Sequence, residues 1–476
     1  MQLRAAALLF LALLIVLAGC SDTDEPDLRR LYQAALDPAS APPVILIPGI
    51  LGSRLRDRVS GQELWPGSTY NLLFSARSLA LDIDPVTLEP RPDNIEAYDL
   101  FHSALGTDVY GAILNTLERA GGYARGEPGK VSDPRRRRYY ILPYDWRQDN
   151  VVTARQLDAL IEQIRRDYDD PQLKVDLVAH SMGGLIARYY LQYGTVDVLN
   201  DNEFPANFAG AAKLRTVILL GTPNLGSVKA LQSFLVGHHV GFQHIPTESL
   251  ATMPSVYELL PHPINNWIID TDGNPLPSDL FFAGTWLAYH WSVFDPNVIA
   301  RIKSRFTDSV SADAYVKTLQ RYFAKRIERA RRFVWALSYN ETQRAPVKLV
   351  VFGGDCRLTP ARVVVEQQSG GDAGAKVRLL PSEIRHPSRG VDYSGLMLEP
   401  GDGEVTKPSL LARASLNPMP TGSENVFFPL AYSFFLCEDH AHLTGNASFQ
   451  DNLLNVLLSA ERPWDSPLNS APSTSK

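Results

Sequence analysis

Short runs of consecutive apolar residues alternate along this chain with stretches whose apolar positions recur every three or four residues. The runs "VILI" (44–47), "YYILPY" (139–144), "VDLVA" (175–179), "TVILLG" (216–221) and "VKLVVFGG" (347–354) read as strands buried on both faces, since neither face alternates to polar. Leu157, Leu160, Ile161 and Ile164 share one face of a helix, and Phe449, Leu453, Leu454 and Leu457 share another near the C-terminus. Strand and helix patterns in alternation predict an α/β fold, a mostly parallel sheet with helices on both faces. There is no internal repeat.

Two long stretches, 51–133 and 225–343, break the alternation. Insertions of this size in an α/β scaffold are expected to form a lid or cap over a site. The second contains "DLFFAGTWLAYHW" (279–291), with five aromatics that either line such a cap or fill the core. Residues 20–42 read as a tether and 43–462 as the folded domain. The Ser/Pro-rich tail 463–476 has the composition of disorder.

Composition narrows the classes. Of 476 residues 45% are hydrophobic and 21% charged, enough apolar material for a large core. A net charge of −6 gives no reason to expect a nucleic-acid partner, and the one basic run, Arg135 to Arg138, reads as the solvated start of a strand. The first 19 residues pair Arg4 with an apolar stretch, Ala5 to Val16, too short to span a bilayer, which is the pattern of an export signal. "LAGC" resembles the lipoprotein box, in which Cys20 becomes the lipidated terminus. Ser21 after it points to an outer-membrane lipoprotein of the cell envelope, held at the membrane by its lipid and facing the periplasm or the exterior. Cys356 and Cys437 remain, either as a disulfide or as buried thiols.

Chemistry centres on "KVDLVAHSMGGLIARYYL". Ser181 stands between a strand pattern and a helix pattern, as the nucleophile of a G-x-S-x-G elbow does, with Ala179 in place of the first glycine. A serine hydroxyl needs a base to take its proton and donors to hold the oxyanion. The Met182 amide follows the nucleophile, and "PGIL" after the first strand offers a second amide at Ile50 or Leu51. The acid and the histidine should follow in that order. Asp402 in "EPGDGEV" and Asp355 after "VKLVVFGG" compete for the acid; His440 and His442 in "LCEDHAHLTGN" compete for the base. The ten histidines are too scattered for a metal site, and no dinucleotide loop follows a strand, so no cofactor is expected.

"PVILIPGILGSRL", "PYDWRQD", "AHSMGG", "GDGEV" and "HAHLTGN", in this order, resemble the lecithin:cholesterol acyltransferase family, lysosomal phospholipase-like enzymes included, among the α/β-hydrolases. The resemblance implies Ser181 as nucleophile, Asp402 as acid, His440 as base and an oxyanion hole from Ile50 and Met182. It implies that Trp146 lines the substrate pocket, and it brings Cys356 and Cys437 to neighbouring strand ends, where they pair. Glu404 stands where the family has threonine. The expected activity is hydrolysis or transfer of a lipid acyl ester through an acyl-enzyme. The rivals are a non-catalytic lipid-binding lipoprotein and a serine peptidase on the same scaffold; no anchor for a peptide terminus is evident.

Overall fold

The computed structural model describes residues 27–29, 42–67, 79–101, 103–104, 107–131, 133, 135–240, 243–338, 346–367, 376–412 and 430–458. The export signal, Cys20, almost all of the tether and the C-terminal tail lie outside them.

Seven strands form one parallel sheet: β1 (Val44–Ile47), β2 (Ala124–Arg125), β3 (Arg138–Ile141), β4 (Val175–His180), β5 (Leu214–Leu220), β6 (Lys348–Gly354) and β7 (Tyr432–Leu436), in the spatial order β7-β6-β5-β4-β1-β3-β2. All five strands expected from the apolar runs are present. β7 was not expected, because "YSFFL" carries no apolar run longer than three, and its neighbour β6 fixes it through pairing from Val350–Tyr432 to Gly354–Leu436. β3 begins at Arg138, as the basic run implied. Arg137, however, is buried and donates to the Gly121 carbonyl instead of facing solvent.

Alternation along each strand divides the core into two layers. Ile45, Ile47, Leu177, Ala179, Val217 and Leu219 face one side, against α1 (Asn150–Asp167) and α2 (Met182–Tyr193). Val44, Leu46, Val178, Ile218, Leu220 and Phe352 face the other, against Phe449, Leu453, Val456 and Leu457 of α5 (Ala447–Leu458). Burying both faces is why these strands lack polar alternation. α1 starts where the Asp149 side chain accepts from the Val151 amide, a cap that contributes about 1 kcal/mol.

The two inserted stretches take different forms. Residues 53–57, 63–65 and 95–100 make a small antiparallel sheet beside the first strand. The second stretch is largely helical, including α3 (Val228–Val236) and the 28-residue α4 (Ser309–Ala336). Its aromatics pack inward: Trp286 is fully buried against Phe234, Phe323 and Trp291, while Phe282 is mostly exposed.

Candidate active site

β4 ends at His180 and α2 begins at Met182, so the reversal of the chain falls on Ser181 alone. Its backbone adopts φ 54°, ψ −124°, a region costing a non-glycine residue about 1–3 kcal/mol. The surroundings hold it there. Its amide donates to the Leu220 carbonyl at 2.7 Å, and its carbonyl accepts from Gly184 at 2.9 Å. Gly183 passes so close to the β1 loop that a Cβ there would lie 2.6 Å from the carbonyl oxygens of Ile47 and Pro48. Ala179, two residues before Ser181, is fully buried and pairs with Ile47 and Leu219 on the two flanking strands.

The loop after β1 closes over the elbow. Residues 49–52 form a turn, Gly52 N–H donating to the Gly49 carbonyl, with Leu51 at φ 62°. Position 49 sits against the Ser181 Cβ. The Gly49 amide is already used, donating to the Tyr110 hydroxyl at 2.8 Å. The Ile50 amide has no hydrogen-bond partner among the described residues and so remains free for a ligand. Three side chains brace this loop: the Tyr144 hydroxyl donates to the Pro48 carbonyl, the Trp65 indole to Leu51 and the Trp146 indole to Ser53. Trp146, expected at the substrate pocket, is fully buried edge-on to Trp65 and serves as such a brace.

The acid and base competitors separate by geometry. Asp402, 2% exposed, accepts from His440 Nδ1 at 2.8 Å through one oxygen and from the Glu404 and Val405 amides through the other. His440 N–H donates to the Asp402 carbonyl as well. Asp355 is instead paired with Lys407 at 2.8 Å. His442 is half-exposed and paired with Asp439 at 2.6 Å. The His440 ring lies over Gly221, where a Cβ would come within 2.9 Å of it. Since Leu220 pairs with His180 across β4 and β5, Gly221 lies level with Ser181, and the imidazole stands beside the elbow. Among the described residues the Ser181 hydroxyl makes no hydrogen bond, and Ser181 is 8% exposed.

Charge follows this arrangement. Burial opposes protonation of His440, but the charge and hydrogen bond of Asp402, with the charges of Glu404 and Asp439, outweigh it and raise the imidazole above 6.5. Burial pushes the Asp402 carboxyl up, while His440 and the two backbone N–H groups hold it below its ordinary value. Burial raises the Glu404 carboxyl.

Cys356 and Cys437 are joined as a disulfide, Cα atoms 5.0 Å apart, linking the segments just past the ends of β6 and β7. Two residues near the elbow carried no expectation from sequence: Tyr110, whose hydroxyl meets His180 Nδ1 at 2.9 Å, and His180, whose ring centroid lies 4.9 Å from that of His440. No motif marks Tyr110, which lies 70 residues before its partner, and His180 stood inside the elbow pattern with no role assigned to it. Among the described residues no group of three or more His, Cys, Asp or Glu has the arrangement of a metal site.

Residues 134–330 match the family model of lecithin:cholesterol acyltransferase. No curated protein matches the chain. Among solved structures, a chain of the Tle4–Tli4 complex is similar with a TM-score of 0.53 at 16% identity, over 88% of this chain and 98% of that one. EstA from Clostridium botulinum aligns at 12% identity over 89% and 88% of the two chains, with a TM-score of 0.34. The mature Bacillus licheniformis lipase BlEst2 aligns at 13% identity over 88% and 93%, with a TM-score of 0.28. With its seven-stranded parallel sheet and strand-to-helix elbow, the chain has the α/β-hydrolase fold, and its residues 134–330 match the lecithin:cholesterol acyltransferase family model.

Proposed function

We propose that the protein cleaves or transfers lipid acyl esters through an acyl-enzyme on Ser181. The observation that carries this reading is the Asp402–His440 pair standing beside a serine held at φ 54° on an elbow. The acyl carbonyl approaches Ser181 between the Ile50 and Met182 amides, and His440 Nε2 closes onto the hydroxyl as the ester seats; such contacts commonly tighten only in the complex. His440 takes the hydroxyl proton as oxygen attacks carbon, and Asp402 stabilises the imidazolium. The two amides hold the charge on the carbonyl oxygen, each worth about 10²–10³ in rate. The imidazolium then returns its proton to the departing alcohol. Water or a second alcohol next attacks the acyl-enzyme with His440 again as base, which gives hydrolysis or transfer by the same residues.

Lipid as the acyl donor is supported by the family match and agrees with the export signal and the lipidated Cys20 read from the sequence. That lipid tethers the enzyme to the outer membrane beside its substrate.

A chromogenic acyl ester and a fluorophosphonate probe test the reading. The native protein should show burst release and label at Ser181, and Ser181→Ala should lose both, with turnover down at least about 10⁴-fold. An unchanged burst in Ser181→Ala removes the assignment.

A further inference from the structure

We propose that His180 is a positioning residue for the base: one neutral imidazole, with its tautomer set by Tyr110, ties the His440 loop to the elbow and to the oxyanion loop. The inference rests on the serine mechanism proposed above and concerns how that mechanism's base is held in place.

The hydrogen bonds assign themselves. His180 Nε2 lies 3.2 Å from the His440 carbonyl oxygen, which can only accept, so Nε2 carries a proton. Burial first, and the charge that His440 takes up second, hold the His180 imidazole down to about 3, so it stays neutral and Nδ1 is an acceptor. The Tyr110 hydroxyl, 2.9 Å from Nδ1, therefore donates to it, and the same oxygen accepts from the Gly49 amide. Burial raises the Tyr110 hydroxyl well above its ordinary range, which keeps that proton on oxygen. The result is one directed chain, from Gly49 N–H to Tyr110 O–H to His180 to the His440 carbonyl. Three of its four members come from the segments that the reaction must align, the loop after β1, the elbow and the loop carrying the base, and Tyr110 joins them from the first inserted stretch.

The other hydrogen bonds of His440, from its ring and its N–H, both go to Asp402 and fix the distance to the acid, while the Cys356–Cys437 link and the Thr444 hydroxyl on the Val109 carbonyl hold the loop at its two ends. His180 supplies the opposing contact, and its residue is covalently adjacent to Ser181. Any pivot that carries His440 away from the nucleophile stretches the His180 bond first. Neutrality matters as well, because a charged His180 at 4.9 Å would oppose formation of the His440 imidazolium.

Three variants of the full chain test this, with active sites counted by fluorophosphonate titration so that kcat is expressed per competent site. His180→Leu should lower kcat per site roughly ten- to a hundredfold with KM little changed, and should move the acid limb of the pH profile. His180→Gln places an amide nitrogen where Nε2 lay and should stay within about threefold of native. Tyr110→Phe should fall between them, and it carries the test should His180→Leu fail to fold. A role in stability alone would lower the titratable fraction while leaving kcat per site and the pH profile native; that result in His180→Leu or Tyr110→Phe overturns the proposal. So does a folded His180→Gln that falls as far as His180→Leu. Failure of the underlying serine mechanism is a separate result: the native protein would then neither label at Ser181 nor cleave the ester.

Discussion

The nucleophile and its base are fixed by different kinds of structure. Ser181 is set by backbone: two strands, a helix start, the Leu220 carbonyl and a glycine that lets the β1 loop approach. Its neighbours in space are mostly its neighbours in sequence or its partners in a parallel ladder. Asp402 and His440 sit on loops beyond β6 and β7, held by side-chain hydrogen bonds, one disulfide and a carbonyl contact from His180. The elbow is a rigid turn that tolerates local change until its geometry breaks, whereas the acid–base side is assembled across long separations and should respond to each contact removed.

Replacing the acid sharpens that comparison most. Asp402→Asn keeps the shape but cannot hold His440 in the tautomer that frees Nε2 for Ser181, so kcat should drop about 10³- to 10⁴-fold. His442→Ala and Asp355→Asn, made in parallel, should stay within about twofold, because those side chains pair with Asp439 and Lys407 instead. Burst kinetics on one ester measure all three. A large loss in His442→Ala with a small one in Asp402→Asn would exchange the roles assigned here.

The same division explains what could be read from sequence. The elbow and the five apolar strands were legible because the local pattern and the fold demand the same thing: continuous apolar runs, then small residues at a turn. The choice of Asp402 over Asp355 and of His440 over His442 came with the family resemblance and not from the local pattern. Each pair offers the same chemistry a few residues or one strand end apart, and only tertiary placement turns one member inward. Trp146 shows another limit. Its tetrapeptide "YDWR" was visible as unusual, but whether an indole lines a pocket or braces a loop depends on where Ser53 lies, 93 residues away. Tyr110 and His180 escaped notice for the same reason.

Removing the disulfide tests the loop side at lower cost. Cys356 and Cys437 are 81 residues apart, and releasing that link from the unfolded chain should cost roughly 2–4 kcal/mol of stability. Thermal unfolding of Cys356→Ser/Cys437→Ser against native measures it. Activity should fall by no more than about tenfold below the new melting point, since Asp402 and His180 still hold His440. A loss as deep as that of Asp402→Asn would mean that the cross-link, not the hydrogen bonds, positions the base.

Glu404 offers the smallest and most specific probe, because it departs from the threonine expected after the Asp-Gly pair and changes charge without touching the reacting atoms. The groups acting on His440 are Asp402, Glu404 and Asp439, which favour its protonation, and His180, which is neutral at working pH. His440 must be neutral to act as base. Its raised pKa therefore puts the acid limb of kcat/KM above 6.5, with activity gained as pH rises through it. The sign for stability is opposite: the raised imidazole stabilises the fold at low pH and loses that contribution as pH rises through its folded pKa, while the depressed Asp402 stabilises above its ordinary value and loses its contribution as pH falls. Glu404→Gln removes one of the charges favouring protonation, so the acid limb should move to lower pH, with kcat on the plateau within about threefold of native. Asp402→Asn should move the same limb further, since Asp402 contributes both the larger charge effect and a direct hydrogen bond. A pH profile that leaves Glu404→Gln superimposed on native would place that carboxylate outside the field of the base and confine control of the imidazole to Asp402.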